Sequence, residues 1–236
     1  MPVFLALDFP NWQETERFIY QNNFQGVPVK VGMELFYREG PEIIYKLKEN
    51  DHAIFLDLKL HDIPTTVYKA MKNLSHLGVD VTNVHALGGS KMIQAAKQGL
   101  GEGGAGGNQT KLLAVTVLTS MDDRTFASES LIKEPVEATA IHLARLAKQN
   151  GADGVVCSPL EVPIIKQQCG SAFYAITPGI RLEKDSKQDQ QRTAHPQQAK
   201  ELGSDAIVIG RSVTAAADPA AAYINVMKEW DNVQPL

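Results

Sequence analysis

The sequence predicts an α/β protein of the (β/α)8 class, a TIM-type barrel, and three observations carry that expectation. Short runs of β-branched or aliphatic residues recur along the whole chain, at 3–8, 28–32, 53–59, 79–86, 112–119, 154–157, 173–177 and 206–210. The segments between these runs show helical periodicity with recognisable start and stop residues. The length of 236 residues is ample for one large barrel domain, and residues 1–236 are read as a single domain.

The first run is apolar until it stops at Asp8, and no basic region precedes it. It reads as a first strand and not as a secretory signal, so a cytoplasmic protein is expected. Asn11 followed by Glu14 has the spacing of an N-cap with a capping box, which starts the first helix. In the second run Val27, Val29 and Val31 take one face, and Pro28, Lys30 and Gly32 the other. Pro41 sits where a helix should begin. In the third run Ile54, Leu56, Leu58 and Leu60 share a face, while Phe55, Asp57 and Lys59 share the opposite one. Val67, Ala70, Met71, Leu74 and Leu77 then form a helical stripe closed by Gly78.

Late in the fourth run Asn83 and His85 share a face. The glycine-rich stretch 99–107 falls between a helix and the fifth strand, at the end of a barrel opposite its active site. It is read as a flexible connector and not as a phosphate cradle. Thr119 ends the fifth run. Pro135 opens a helix ended by Asn150-Gly151, and Asp218-Pro219 starts the last one. Periodicity alone leaves an open, doubly wound sheet as the rival architecture. The lack of a GxGxxG after the first strand weakens the dinucleotide-binding form of that rival.

Composition excludes several functional classes. With 44% hydrophobic and 21% charged residues the chain is that of an ordinary globular protein. A formal charge of -4 argues against a general nucleic-acid binder, while leaving room for a local basic pocket. No segment approaches the ~18 apolar residues that span a bilayer. Cys157 and Cys169 form no CxxC and are expected to be reduced structural thiols. The histidines are scattered without metal-ligand spacing, so no metal site is expected.

The segment 53–66 carries the most chemistry. A strand with a full aliphatic row on one face needs no acid and base on the other, and desolvating such charges costs roughly several kcal/mol per ion. The pattern Asp57-x-Lys59-x-x-Asp62 therefore points to an ammonium held between carboxylates, with Lys30 expected at the neighbouring strand end. Barrel active sites are built at the C-terminal ends of the strands, where Asp8, Lys30, Asp57, Lys59 and Thr119 all fall. Thr177-Pro-Gly-Ile-Arg181 and Ile207-Val-Ile-Gly-Arg211 follow the seventh and eighth strands, a common phosphate position in barrels. Arg181 and Arg211 would supply charged hydrogen bonds, and Gly210 would let the backbone come close. Together these residues suggest a small phosphorylated substrate. Taken singly, Asp8 could cap a turn and Lys30 could be an edge lysine; His85 is read as structural.

In this order the residues resemble the orotidine 5′-phosphate decarboxylase family over nearly the full length. The landmarks are Leu5-Ala-Leu-Asp8, Lys30-Val-Gly, Phe55-Leu-Asp-Leu-Lys-Leu-His-Asp-Ile-Pro64, Asn83-Val-His-Ala86, Val115-Thr-Val-Leu-Thr-Ser120, Thr177-Pro-Gly-Ile-Arg181, Asp189-Gln-Gln-Arg192 and Ile209-Gly-Arg211. The resemblance implies decarboxylation of orotidine 5′-phosphate to uridine 5′-phosphate, the last step of pyrimidine nucleotide synthesis, without cofactor. It implies Lys59 as proton donor, Asp57 beside the substrate carboxylate, and Lys30 on the ribose and linked to Asp57. Asp8 would bind the nucleoside, Thr119 the pyrimidine, and Arg181, Gln190, Gly210 and Arg211 the phosphate. Asp62 and Thr66 would serve the site of the other subunit in a homodimer. Thr65 stands where many bacterial members have Asn, and 182–188 match no fixed pattern. The Asp-x-Lys-x-x-Asp core is shared with relatives similar to 3-keto-gulonate 6-phosphate decarboxylase and hexulose phosphate synthase. Those enzymes are metal-dependent and place an acidic ligand near the end of the second strand, where this chain has Lys30. A non-catalytic nucleotide-binding barrel is the alternative from another class.

Overall fold

The computed structural model describes residues 2–103, 110–182 and 192–231. Its strands are β1 (Val3–Ala6), β2 (Val29–Gly32), β3 (Ile54–Leu60), β4 (Val81–His85), β5 (Lys111–Val115), β6 (Gly154–Val156), β7 (Tyr174–Thr177) and β8 (Ala206–Ile209). They close into a barrel in sequence order, every neighbouring pair parallel. Pairing of Phe4 with Val208 joins the first strand to the last, which rules out the open-sheet rival.

Around the barrel run α1 (Trp12–Gln21), α2 (Met33–Glu39), α3 (Glu42–Glu49), α4 (Pro64–Ser75), α5 (Gly89–Gly103), α6 (Asp123–Glu129), α7 (Val136–Gln149), α8 (Val162–Cys169), α9 (Pro196–Glu201), α10 (Arg211–Thr214) and α11 (Pro219–Asp231). Asn11 starts α1 as expected: its Oδ1 accepts from the Glu14 N–H at 2.9 Å, and its Nδ2 donates to Glu14 Oε1 at 3.1 Å. No described helix is long and apolar enough to cross a membrane.

Strand alternation sorts the core into two layers. Leu5, Val29, Val31, Ile54, Leu56, Ala114, Val155 and Ile207 face outward and pack under the helices. Phe4, Ala6, Phe55, Val81, Leu113, Val115, Val156, Ile176 and Val208 face inward and fill the barrel, with Phe4 and Phe55 edge to face at 5.9 Å. The inward row ends in polar residues at the C-terminal mouth, and there the candidate site begins.

A repeated device ties the opposite end. Asp80, Asp153 and Asp205 each stand one residue before β4, β6 and β8, and each follows a positive-φ glycine (Gly78, Gly151, Gly203) by two. Asp80 Oδ2 accepts the Ile54 N–H at 2.7 Å and the Lys48 ammonium at 2.9 Å. Asp153 Oδ2 accepts the Leu112 N–H at 2.8 Å and Lys97 at 2.7 Å. Asp205 Oδ2 accepts the Ala175 N–H at 2.7 Å and Lys166 at 2.5 Å. Each aspartate thus clamps the start of the preceding strand and the helix that leads into it. At the corresponding place before β2, two residues after Gly26, stands Pro28, which has no acceptor side chain.

The structure corrects the reading of the 99–107 stretch. Gly99, Gly101 and Gly103 are helical and end α5. A side chain at Gly99 would sit 2.3 Å from the Tyr68 carbonyl oxygen, and one at Gly103 would sit 1.8 Å from Ser75 Oγ. These glycines let α5 lie directly against α4, which is a packing role; residues 104–107 fall outside the described part of the chain. The fifth strand also stops at Val115, so Thr119 lies in the turn beyond it.

Candidate active site

Four charged residues meet at the mouth of β1–β3. Lys30 Nζ lies 3.0 Å from Asp8 Oδ1 and 3.6 Å from Asp57 Oδ2, and Lys59 Nζ donates to Asp57 Oδ1 at 2.7 Å. The result is an unbroken alternation of Asp8, Lys30, Asp57 and Lys59. Gly32 makes room for it, since a Cβ there would stand 3.1 Å from Lys30 Nζ and 3.2 Å from Asp8 Oδ1.

Burial alone would raise the Asp57 carboxyl. The ammonium groups of Lys30 and Lys59, with hydrogen bonds from Lys59 and Asn83, outweigh it and hold Asp57 below the usual carboxylate range. For Lys30, burial pulls downward, and the charges of Asp57 and Asp8 overcome it and leave the ammonium above its ordinary value. Each charge thus depends on its neighbours to remain ionised in a buried place.

Lys59 has a local backbone problem. Its φ is +49°, in the left-handed region that a lysine enters at a cost of roughly 1–2 kcal/mol, and the β3–β4 register shifts between Leu56 and Leu60. The Lys59 N–H is taken up by Asn83 Oδ1 at 2.7 Å, and Asn83 Nδ2 donates to Asp57 Oδ1 at 2.7 Å. Sequence reasoning placed Asn83 on the right face but gave it no role. The signal was weak because a neutral amide does not stand out on a strand.

The array borders a cavity of about 190 Å³. Lys30, Asp57 and Lys59 form its polar wall, Phe55, Val115, Val156 and Val208 line it from the barrel interior, and Val117, Leu118, Thr119 and Ser120 stand along another side. Cys157 also lines it, and burial pushes its thiol up to about 12, so it is neutral there. Both cysteines are free and buried. His85 stacks on His61 with centroids 5.4 Å apart and an interplanar angle of 20°.

Not every expected residue joins this group. Asp62 is exposed, its Oδ1 accepts the Ile63 N–H at 2.6 Å, and among the described residues it makes no ion pair with Lys59 of its own chain. Thr66 is exposed in the first turn of α4. Arg181 is buried beyond β7, with Nη1 donating to the Ile180 carbonyl at 2.9 Å. Gly210 caps the short α10, and Arg211 begins it, exposed. Neither arginine lines the cavity. Gln190 lies outside the described residues.

A second feature escaped the sequence reading. Arg192 Nη1 donates to Glu161 Oε1, and its Nη2 donates to the carbonyls of Val117 and Leu118 at 3.1 and 2.9 Å. Glu161 is 3% exposed and completes a capping box with Ser158. The Ser158-to-Glu161 spacing could have indicated that cap; nothing in the sequence indicates that it would meet Arg192.

Comparison with known proteins identifies the wider group. The model of the orotidine 5′-phosphate decarboxylase / HUMPS family matches residues 1–226. Orotidine 5′-phosphate decarboxylase of Bacillus caldolyticus is 52% identical over 233 residues, covering 98% of this chain and 95% of the relative. That of Listeria innocua is 52% identical over 227 residues, covering 96% and 97%. The crystal structure of the Lactobacillus acidophilus orotidine 5′-phosphate decarboxylase superposes with a TM-score of 0.87 at 46% identity, covering 98% of this chain and 99% of that one. With the barrel, the charged array and these similarities in hand, the chain belongs to the orotidine 5′-phosphate decarboxylase / HUMPS family.

Proposed function

We propose that this carboxy-lyase converts orotidine 5′-phosphate to uridine 5′-phosphate and CO2 in pyrimidine biosynthesis, with Lys59 as the proton donor and no cofactor. The observation that carries the reading is the Asp8–Lys30–Asp57–Lys59 array on the wall of a cavity of about 190 Å³. Breaking the bond between C6 of orotate and its carboxylate leaves an electron pair in the ring plane, where the π system cannot take it up. A fixed ammonium beside C6 stabilises that charge and then supplies the proton, and the neutral amine recovers a proton from solvent. Asp57 holds the Lys59 ammonium at 2.7 Å, and a displacement of about 1 Å can cost ~10²-fold in rate. Asp57 in this reading also faces the substrate carboxylate.

In this reading Lys30 contacts the ribose, Asp8 the nucleoside and Thr119 the pyrimidine. Arg181, Gln190, Gly210 and Arg211 hold the phosphate, whose remote binding energy positions the reacting ring. Asp62 and Thr66 act in the site of a second copy. The exposure of Asp62 supports that division, as do the apolar side chains left open after β2, β3 and β4: Met33 is 45%, Ile63 67% and Leu87 45% exposed. The metal-dependent branch of the family is disfavoured by Lys30, whose ammonium would repel a cation at the end of β2.

The test is to incubate the purified protein with orotidine 5′-phosphate and follow uridine 5′-phosphate and CO2, with and without EDTA. Product formation that the chelator leaves unchanged is expected. Binding without CO2 release would overturn the reading in favour of a nucleotide-binding barrel, and loss of activity with EDTA would favour the metal-dependent branch.

A further inference from the structure

We infer that Arg192 is a positioning residue for this reaction: by gripping the backbone of the Val117–Thr119 turn, it sets the cavity wall opposite the charged array. The inference rests on the decarboxylase reading of the same cavity.

The turn after β5 is closed by the Met121 N–H, which donates to the Leu118 carbonyl at 3.0 Å. Val115 ends the strand, and Val117, Leu118 and Thr119 then run along the cavity. Two of their carbonyls, those of Val117 and Leu118, are taken by a single guanidinium nitrogen, Arg192 Nη2, at 3.1 and 2.9 Å. The Arg192 backbone N–H adds a longer bond of 3.4 Å to the Thr119 carbonyl. One residue, distant in sequence, therefore fixes three consecutive peptide groups of the wall that presents Thr119.

The guanidinium is in turn held in place. Its other terminal nitrogen donates to Glu161 Oε1, and the second oxygen of that carboxylate accepts the Ser158 N–H at 3.1 Å. Glu161 is nearly inaccessible, and Arg192 Nε has no hydrogen-bond partner among the described residues. A buried ion pair with an unsatisfied donor is a poor way to gain stability, because well-packed apolar residues often do as well. Its planar fork can, however, span a carboxylate and two carbonyls at once, which a lysine cannot reproduce. The arrangement fits a device for placing the Val117–Thr119 turn, with Glu161 setting the direction of the fork.

Arg192→Lys is the discriminating variant, since it keeps a cation beside Glu161 and gives up the fork. The expected result is a protein that melts near the parent, with KM for orotidine 5′-phosphate raised about tenfold, as for loss of a charged hydrogen bond. The fall in kcat should be smaller, and binding of uridine 5′-phosphate should weaken in parallel with KM. A purely structural role would reduce the folded fraction and leave KM of the folded molecules unchanged. A folded Arg192→Lys protein with the parental KM therefore overturns the inference. If that variant does not fold, Glu161→Gln decides on the same constants: release of the fork from its anchor should raise KM severalfold, and an unchanged KM overturns the inference. The parent is assayed alongside. An inactive parent would remove the decarboxylase reading itself, whereas an active parent with unaffected variants removes only the role of Arg192.

Discussion

The side chain of Asn83 holds Lys59 by its backbone and Asp57 by its carboxylate, each through a hydrogen bond of 2.7 Å. A neutral residue on β4 thereby fixes both members of the central ion pair on β3 and supports the left-handed backbone at Lys59. Asn83→Ala should lower kcat by about 10²-fold with a smaller change in KM, since the ammonium loses its placement and not its charge. Asn83→Asp should also move the acid limb of the rate profile to higher pH, because a second carboxylate beside Asp57 makes its ionisation harder. Steady-state kinetics across pH checks both, and parental kcat in the two variants would remove Asn83 from the positioning network.

Lys59→Ala should abolish turnover while uridine 5′-phosphate still binds, and Asp62→Ala should be severely impaired. Mixing the two inactive proteins should restore activity if each site takes Asp62 from the other subunit. Mixed dimers that stay inactive would mean that Asp62 serves its own chain.

His85 provides a stability test. Burial first, then the neighbouring His61 and Lys59 charges, push its pKa below the ordinary 6.5. The folded form therefore releases this proton in a window where the unfolded chain still binds it. The resulting penalty is absent above 6.5, grows as pH falls through the window, and is complete below the folded value. His85→Gln removes it, so the parent should lose more stability than the variant between about pH 8 and about pH 5. Urea melts at several pH values measure the gap; a gap that stays constant would contradict the assignment.

At the other end of the barrel, Asp205→Ala leaves the Ala175 N–H without its side-chain acceptor and Lys166 without its counter-ion. A loss of about 2–3 kcal/mol in urea unfolding is expected for this partly buried pair. Because the cluster lies opposite the cavity, kcat per folded molecule should not change.

The barrel was legible because strand and helix periods alternate through the chain, and Lys30, Asp57 and Lys59 were legible because charges on buried strands need a reason. What was hidden depended on geometry. Asn83 falls opposite Asp57 in the regular β3–β4 register, and the shift that follows lets it also take the Lys59 N–H; no residue type announces such a shift. Spacing alone puts Asp62 near Lys59, yet among the described residues Asp62 takes the Ile63 N–H and makes no ion pair with Lys59. Gly99 and Gly103 read as part of a flexible connector because they run into a glycine-rich stretch, whereas the Tyr68 carbonyl and Ser75 hydroxyl are what exclude a side chain there. The Gly-x-Asp repeat at Gly78, Gly151 and Gly203 was readable in principle, and its uneven spacing concealed it.

That repeat has a consequence for how the barrel opens. The β3–β4, β5–β6 and β7–β8 seams each carry an aspartate clamp at the base, and the β1–β2 seam has Pro28 in its place. What joins β1 to β2 through side chains is at the mouth: Asp8, just past β1, paired with Lys30 on β2 at 3.0 Å. Without an aspartate clamp at its base, the β1–β2 seam is zipped from its catalytic end, so the groups proposed to grip the nucleoside also hold the wall shut. A nucleotide bound to Asp8 and Lys30 would act at that seam as a removable rivet.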